Sequence, residues 1–319
     1  MHLMTHTLWK MTCLAGAVCL SIATAHAADE NVVQPKSVES LALAVQLPSD
    51  NKVNFRGIVS LDDVSAAHGG VLYGPGPALG LVGLLVHGLV VNSVKESQKS
   101  SLQKAADEVL VRYQATLDTL QLTALMQQGL QRMKTTGSKT LIATGARANH
   151  AWLIESTPVF SMTQDQKAIV LDNAIAIHAP DSQDTVAYQN IIRIVATPRN
   201  GDDIATGWLA NNGEKLKEES ASLFAESLDI ALTDIRKAAG SAAAPQKTVR
   251  YPEGGIEKME RGELVSEFCN RVVIKTLRGW LMSVPSLAGS SNGQCEVAAP
   301  QTTPVIAPSP TITATPNAL

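Results

Sequence analysis

The sequence predicts an α+β fold: an antiparallel sheet meander with two long helices on one face, plus a short C-terminal β module. Three observations carry this prediction. Apolar residues recur every three or four positions over Ser93–Met133 and again over Gly213–Ala239, which is helical spacing. Between these stretches, four segments alternate or carry β-branched runs and are separated by turn residues. After the small-residue linker Ala239–Gln246, four shorter segments of the same kind follow.

In the first 27 residues, a short basic stretch ending in Lys10 precedes an apolar run from Met11 to Ala25, closed by Ala25-His26-Ala27. These are the three regions of a secretory signal peptide. Cleavage after Ala27 is therefore expected, with the periplasm or cell envelope as destination. The apolar run is shorter than the roughly 20 residues a spanning helix needs. Cys19 follows Val18, where a lipidation site takes a small residue, so no lipid anchor is expected. Residues 28–48 are polar and weakly patterned and read as a flexible leader. Val53–Leu61 alternates and reads as the first strand of an α+β domain spanning residues 49–240.

Gly69–Val94 differs from the rest of the chain in carrying 26 residues without a charge. Pro75 and Pro77 confine any helix to Pro77–Val94. Such a helix would be about 27 Å long, against a hydrocarbon core of about 30 Å. Gly80, Gly83 and Gly88, with His87 and Asn92, weaken insertion, whereas Gly76 and Gly80 form a GxxxG spacing that lets helices approach closely. Three readings stay open: a helix buried against the protein's own sheet, membrane contact through Pro77–Val94, and a self-association seam. Gly76, Gly80, Gly83 and Gly88 are the candidate residues for membrane contact or self-association. Lys95, Lys99 and Lys104 would suit a cytoplasmic flank, a topology that opposes disulfide formation further along the chain.

Over Ser93–Met133 the stripe includes Leu102, Ala106, Leu110, Tyr113, Leu117 and Leu120, with an interruption at Asp118-Thr119. Strands are expected at Thr140–Ala148, Trp152–Met162, Lys167–His178 and Thr185–Thr197. The turns Thr163-Gln164-Asp165-Gln166 and Pro180-Asp181-Ser182 are short, which makes neighbouring strands antiparallel. Ile169, Leu171, Ile175 and Ile177 share a face broken by Asn173; Val186, Tyr188, Ile192 and Ile194 share one broken by Asn190. A buried polar side chain must be hydrogen-bonded, so cross-strand structural bonds are expected at both asparagines, with a ligand contact as the alternative. Leu216, Leu223, Leu228, Ala231 and Ile235 make the second helix, with Asn211 or Asn212 as its N-cap. Thr248–Tyr251, Glu263–Phe268, Arg271–Leu277 and Trp280–Val284 read as four short strands, either a small β module over residues 247–295 or extra strands completing the main sheet. Residues 296–319 read as a disordered tail in which Ala298–Leu319 carry five prolines and no charge.

Basic residues number 26 against 29 acidic ones. Removing the signal takes away Lys10 and no acid, leaving 25 against 29, a net charge of −4, which provides no electrostatic footprint for nucleic acid. The mature chain keeps two cysteines, Cys269 and Cys295. In an oxidising compartment they are expected to pair, a bridge worth about 3.5 kcal/mol on the chain-entropy model.

His68, His87, His150 and His178 show no metal-ligand spacing, and His178, at a strand end, is expected on the surface. No nucleophile elbow, phosphate loop or dinucleotide fingerprint occurs. The adjacent pairs Asp62-Asp63 and Asp202-Asp203 lie in loops, where neighbouring side chains point apart. No catalytic, cofactor-binding or metal-binding residue is assigned, and no cofactor is expected. The order of export signal, glycine-rich apolar segment, helix, strands and helix resembles small bacterial envelope proteins that support assemblies in the periplasm. The expected function is non-catalytic binding or assembly, through a protein partner or self-association. The alternative is a periplasmic hydrolase whose site assembles only in three dimensions.

Overall fold

The computed structural model describes residues 42–59, 96–148, 150–237, 244–268 and 270–287. It is an α+β fold built on one mixed sheet of ten strands. Two short strands, β1 (Leu43–Gln46) and β2 (Asn54–Gly57), precede a helical stretch. That stretch comprises α1 (Glu96–Asp107), a 3-10 turn (Glu108–Tyr113), α2 (Gln114–Thr119) and α3 (Leu122–Arg132). Then come β3 (Lys139–Ile142), β4 (Trp152–Met162), β5 (Ile169–Ala179), β6 (Ser182–Val195) and α4 (Ile204–Ile235). Four strands end the described chain: β7 (Gln246–Glu253), β8 (Ile256–Phe268), β9 (Arg271–Thr276) and β10 (Leu281–Pro285).

The strand order is β3-β1-β4-β5-β6-β10-β9-β8-β7, with β2 beside β4. The expected antiparallel meander holds for β4-β5-β6 but not for β3 and β4, which β1 separates, and β10-β9-β8-β7 forms a second antiparallel run. Parallel pairs complete the sheet: β1 with β3 and β4, β2 with β4, and β10 with β6. One expectation is corrected here and one open alternative is decided. Part of the supposed leader forms β1, whose Leu43, Ala44 and Val45 are buried between two strands. The four C-terminal strands are not a separate module, because Leu281, Met282 and Ser283 pair with Ile192, Arg193 and Ile194 and continue the main sheet.

The helices also differ from two uninterrupted rods. The first stretch breaks where Leu120 and Gln121 turn extended, next to the predicted interruption. The second begins at Ile204, capped by Asp203, whose carboxylate accepts from the Thr206 amide. It then breaks at Ala210, where Asn211, Asn212 and Gly213 take left-handed conformations. Asn and Gly are the residues that tolerate this region. The asparagines expected to cap a helix therefore make its kink, and Gly213 lies so close to Thr116 of α2 that a Cβ would overlap it.

β5 is buried along both faces. On one face Ile169, Leu171, Ile175 and Ile177 join a core with Trp208, Leu216, Phe224 and Leu228 of α4 and Tyr113, Met126 and Leu130 of the first helical stretch. At Gly129 a side chain would run into Phe224, so α3 and α4 pack almost backbone to side chain. The opposite face buries Val170 and Val195 with Tyr251, Val272, Ile274 and Val284.

Strand spacing shows how that second face closes. In a flat sheet β6 and β7, four spacings apart, would stand about 19 Å from each other, yet Arg193 of β6 reaches Glu253 of β7 at 3.5 Å. The sheet must curl. The turn at the tip of β7 and β8 docks on the turn between β4 and β5, where Asp165 accepts from the Gly255 amide. Gly254, at φ +66°, suits this turn, and a Cβ there would strike Asp165.

Candidate functional site

Helix α4 packs over β5 and β6 and leaves β8, β9 and β10 uncovered on its flank, which creates a groove of about 630 Å³. The helix wall presents Ser222, Glu226, Ile230 and Thr233, spaced at three and four and hence on one side of the helix. The strand wall carries Val265 and Phe268 of β8 and Val273 of β9, with Leu281 and Ser283 of β10 below. Phe268 is 71% exposed at the lip. Lys134 and Lys237 also line the groove.

The polar groups of the groove are engaged with one another. Arg271 donates through Nε to Glu226 (2.9 Å) and through Nη2 to the carbonyls of Val195 (3.1 Å) and Ser283 (3.2 Å). The fully buried hydroxyl of Ser283 donates to the same Glu226 oxygen at 2.6 Å. Asp229 accepts from the backbone amides of Lys134 (2.8 Å) and Thr135 (3.0 Å) and from the Thr135 hydroxyl (2.7 Å), tying the chain after α3 to α4. Asp234 accepts from the Tyr188 hydroxyl at 3.2 Å. Burial, and then Asp234, push that phenol above its ordinary value of 10.0. Beside the groove, burial raises the Glu219 carboxyl, opposed by Arg199 and Arg271.

The acids and the serine hydroxyl of the groove are held by bonds within the protein. A general base needs a lone pair directed at substrate, and a nucleophile needs access. Glu226, Asp229 and Asp234 already accept structural hydrogen bonds, and Ser283 has no exposed surface. Among the described residues no group of three or more His, Cys, Asp or Glu side chains could hold a metal ion. Among them, too, no helix is long and apolar enough to cross a membrane.

Several sequence candidates take structural positions. Asn173 accepts from Ser156 across to β4 (2.8 Å) and donates to Ser227 of α4 (2.9 Å), a buried chain joining sheet to helix. Asn190 accepts from the adjacent Ile191 amide instead of bridging strands. Asp203 serves as the cap of α4, not as half of a catalytic pair. His178 is only 7% exposed, contrary to the surface position expected, with Nε2 3.8 Å from Glu155. Burial follows from its inward place on β5, opposite Leu153. Arg278 lies over the Trp280 ring at 5.7 Å in the tight turn before β10.

His68, His87, Asp62 and Asp63, the candidates Gly76, Gly80, Gly83 and Gly88, the segment Pro77–Val94, and both Cys269 and Cys295 lie outside the described residues. Glu226, Phe268 and Arg271 did not stand out in the sequence. Glu226 lies off the apolar stripe of its helix, and nothing in the chain pairs it with an arginine 45 residues away. An aromatic residue ending a strand just before a turn was the one available signal. No family model, curated protein or solved structure matches this chain.

Proposed function

We propose that this chain is an exported, non-catalytic binding or assembly protein of the cell envelope, and that the groove beside α4 receives a segment of a protein partner. The supporting observation is Phe268. A large aromatic side chain stands 71% exposed at the lip of a groove with an apolar strand wall, where Arg271 and Glu226 neutralise each other. Exposed aromatics beside a concave apolar surface are typical anchors of protein interfaces, and a neutralised floor removes the desolvation cost an open charge would impose on an apolar occupant. Export with cleavage after Ala27, and membrane contact or self-association through Pro77–Val94, belong to the same proposal. They rest on the sequence patterns described above.

The test is photo-crosslinking in intact cells, with a benzophenone amino acid at position 268 and, as control, at Ile256 on the distant hairpin tip, which is 60% exposed. A discrete protein adduct from position 268 and none from 256 is expected. The same adducts from both positions, or none from 268, would refute the groove as a docking site.

A further inference from the structure

The described chain ends beside this groove. Pro285 pairs with Arg271 at the end of β10, and the Ser286 amide donates to the Asn270 carbonyl at 2.7 Å, only two residues from Phe268. Leu287 therefore leaves the fold at the groove's lip, followed by residues 288–319. Pairing of Cys269, the neighbour of Phe268, with Cys295, as expected from the sequence, would bring residue 296 back to that lip. From Val297 onward the chain is uncharged and carries five prolines.

Dimensions and chemistry match. The helix wall from Ser222 to Lys237 is about 22 Å long at 1.5 Å per residue. A polyproline II strand rises about 3.1 Å per residue, so about seven residues span it, and Val297–Ile306 provides ten. Polyproline strands have no internal hydrogen bonds and expose their carbonyls. Such segments dock against exposed aromatics, here Phe268, while Lys134 and Lys237 supply donors for carbonyls. An uncharged segment also suits a floor where Arg271 and Glu226 already neutralise each other.

We infer that the C-terminal segment Val297–Ile306 of the same molecule occupies the groove beside α4 as an internal pseudo-ligand, which a partner must displace. This rests on reading the groove as a docking site, and it adds regulation to that reading: partner binding competes with the tail at an effective concentration fixed by the short connection from Leu287.

The test places the benzophenone at position 268 in the purified full mature protein, with no partner present, and maps the crosslinks by mass spectrometry. Most adducts are expected within one molecule and within residues 297–306. The variant Val305→Ser/Ile306→Ser, which removes apolar side chains from the segment, is expected to lower their yield about tenfold, the effect of lost apolar burial. In cells the same variant should raise the partner adduct. Adducts confined to another segment, adducts only between copies, no tail adduct, or a yield unchanged by the variant would each overturn the inference. A partner adduct in cells without a tail adduct in the purified protein would leave the proposed function standing and remove the tail from it.

Discussion

Replacing Arg193 with Met isolates the polar centre that the curled sheet encloses. Arg193 lies between two carboxylates from different strands, Asp172 of β5 and Glu253 of β7, each 3.5 Å away. Both are buried, at 4% and 8% exposure. Burial alone would lower the arginine's affinity for its proton, but Asp172 and then Glu253 outweigh it, and the guanidinium is held above its ordinary value. At an effective dielectric of 20, each contact at this distance corresponds to about 5 kcal/mol of gross attraction, mostly cancelled by desolvation. Removing the cation leaves the desolvation cost of Glu253 unopposed and that of Asp172 opposed only by Arg56, a loss of about 3–5 kcal/mol.

With a urea slope of about 3 kcal/mol/M for a chain of this size, the denaturation midpoint should fall by about 1–1.7 M. The control is Arg147→Met, whose partner Asp184 sits closer, at 2.6 Å, but with side chains 68% and 81% exposed. That change should cost no more than about 1 kcal/mol. If the two variants lost equal stability, or if Arg193→Met moved the midpoint by less than about 0.3 M, burial would not be what gives the central pair its weight.

Two further outcomes follow from named contacts. Asp165 is held below its ordinary 3.8: burial pushes it up, but hydrogen bonds from the Thr163 hydroxyl and the Lys167 and Gly255 amides outweigh that. Its stabilising contribution is present above the unfolded value and is lost as pH falls through the lower folded one. Asp165→Asn should therefore destabilise the protein at pH 7, and its difference from wild type in thermal midpoint should disappear in strong acid; a pH-independent difference would contradict this. Ser227→Ala removes the acceptor for the Asn173 amide in a dry site, and urea denaturation should show a loss of about 1–3 kcal/mol. Ser222→Ala, on the exposed side of the same helix, should change little, and equal losses would mean that the buried chain contributes nothing special.

Local patterns sufficed for the elements. The runs expected at Trp152–Met162 and Lys167–His178 appear as β4 and β5, the second with the facing residues expected, because side-chain direction along a strand depends only on position parity. Val186 left the face assigned to it because a register shift between Ile177 and His178 sets it opposite His178. No pattern of apolar and polar residues encodes such a bulge. β1 escaped notice because its apolar run, Leu41–Val45 between Ser40 and Gln46, is short and does not alternate, and its stability comes from β3 and β4 pairing on both sides. The site was not legible at all. Glu226, Phe268, Arg271 and Ser283 are brought together only when β10 inserts beside β6 in parallel, a contact between segments about 90 residues apart.

By itself the chain determined an α+β composition, the positions of nearly all its strands, the break near Asp118-Thr119 and the need to satisfy Asn173 inside the core. These depend on periodicity and on the hydrogen-bonding demand of single side chains, both local properties. Tertiary structure alone decided that the C-terminal strands join the main sheet, that the sheet curls until Arg193 meets Glu253, and that α4 leaves a groove with Phe268 at its lip. Those outcomes depend on which distant strand edges pair and how far the sheet twists. That is set by the free energy of the whole core, and no window of sequence contains it.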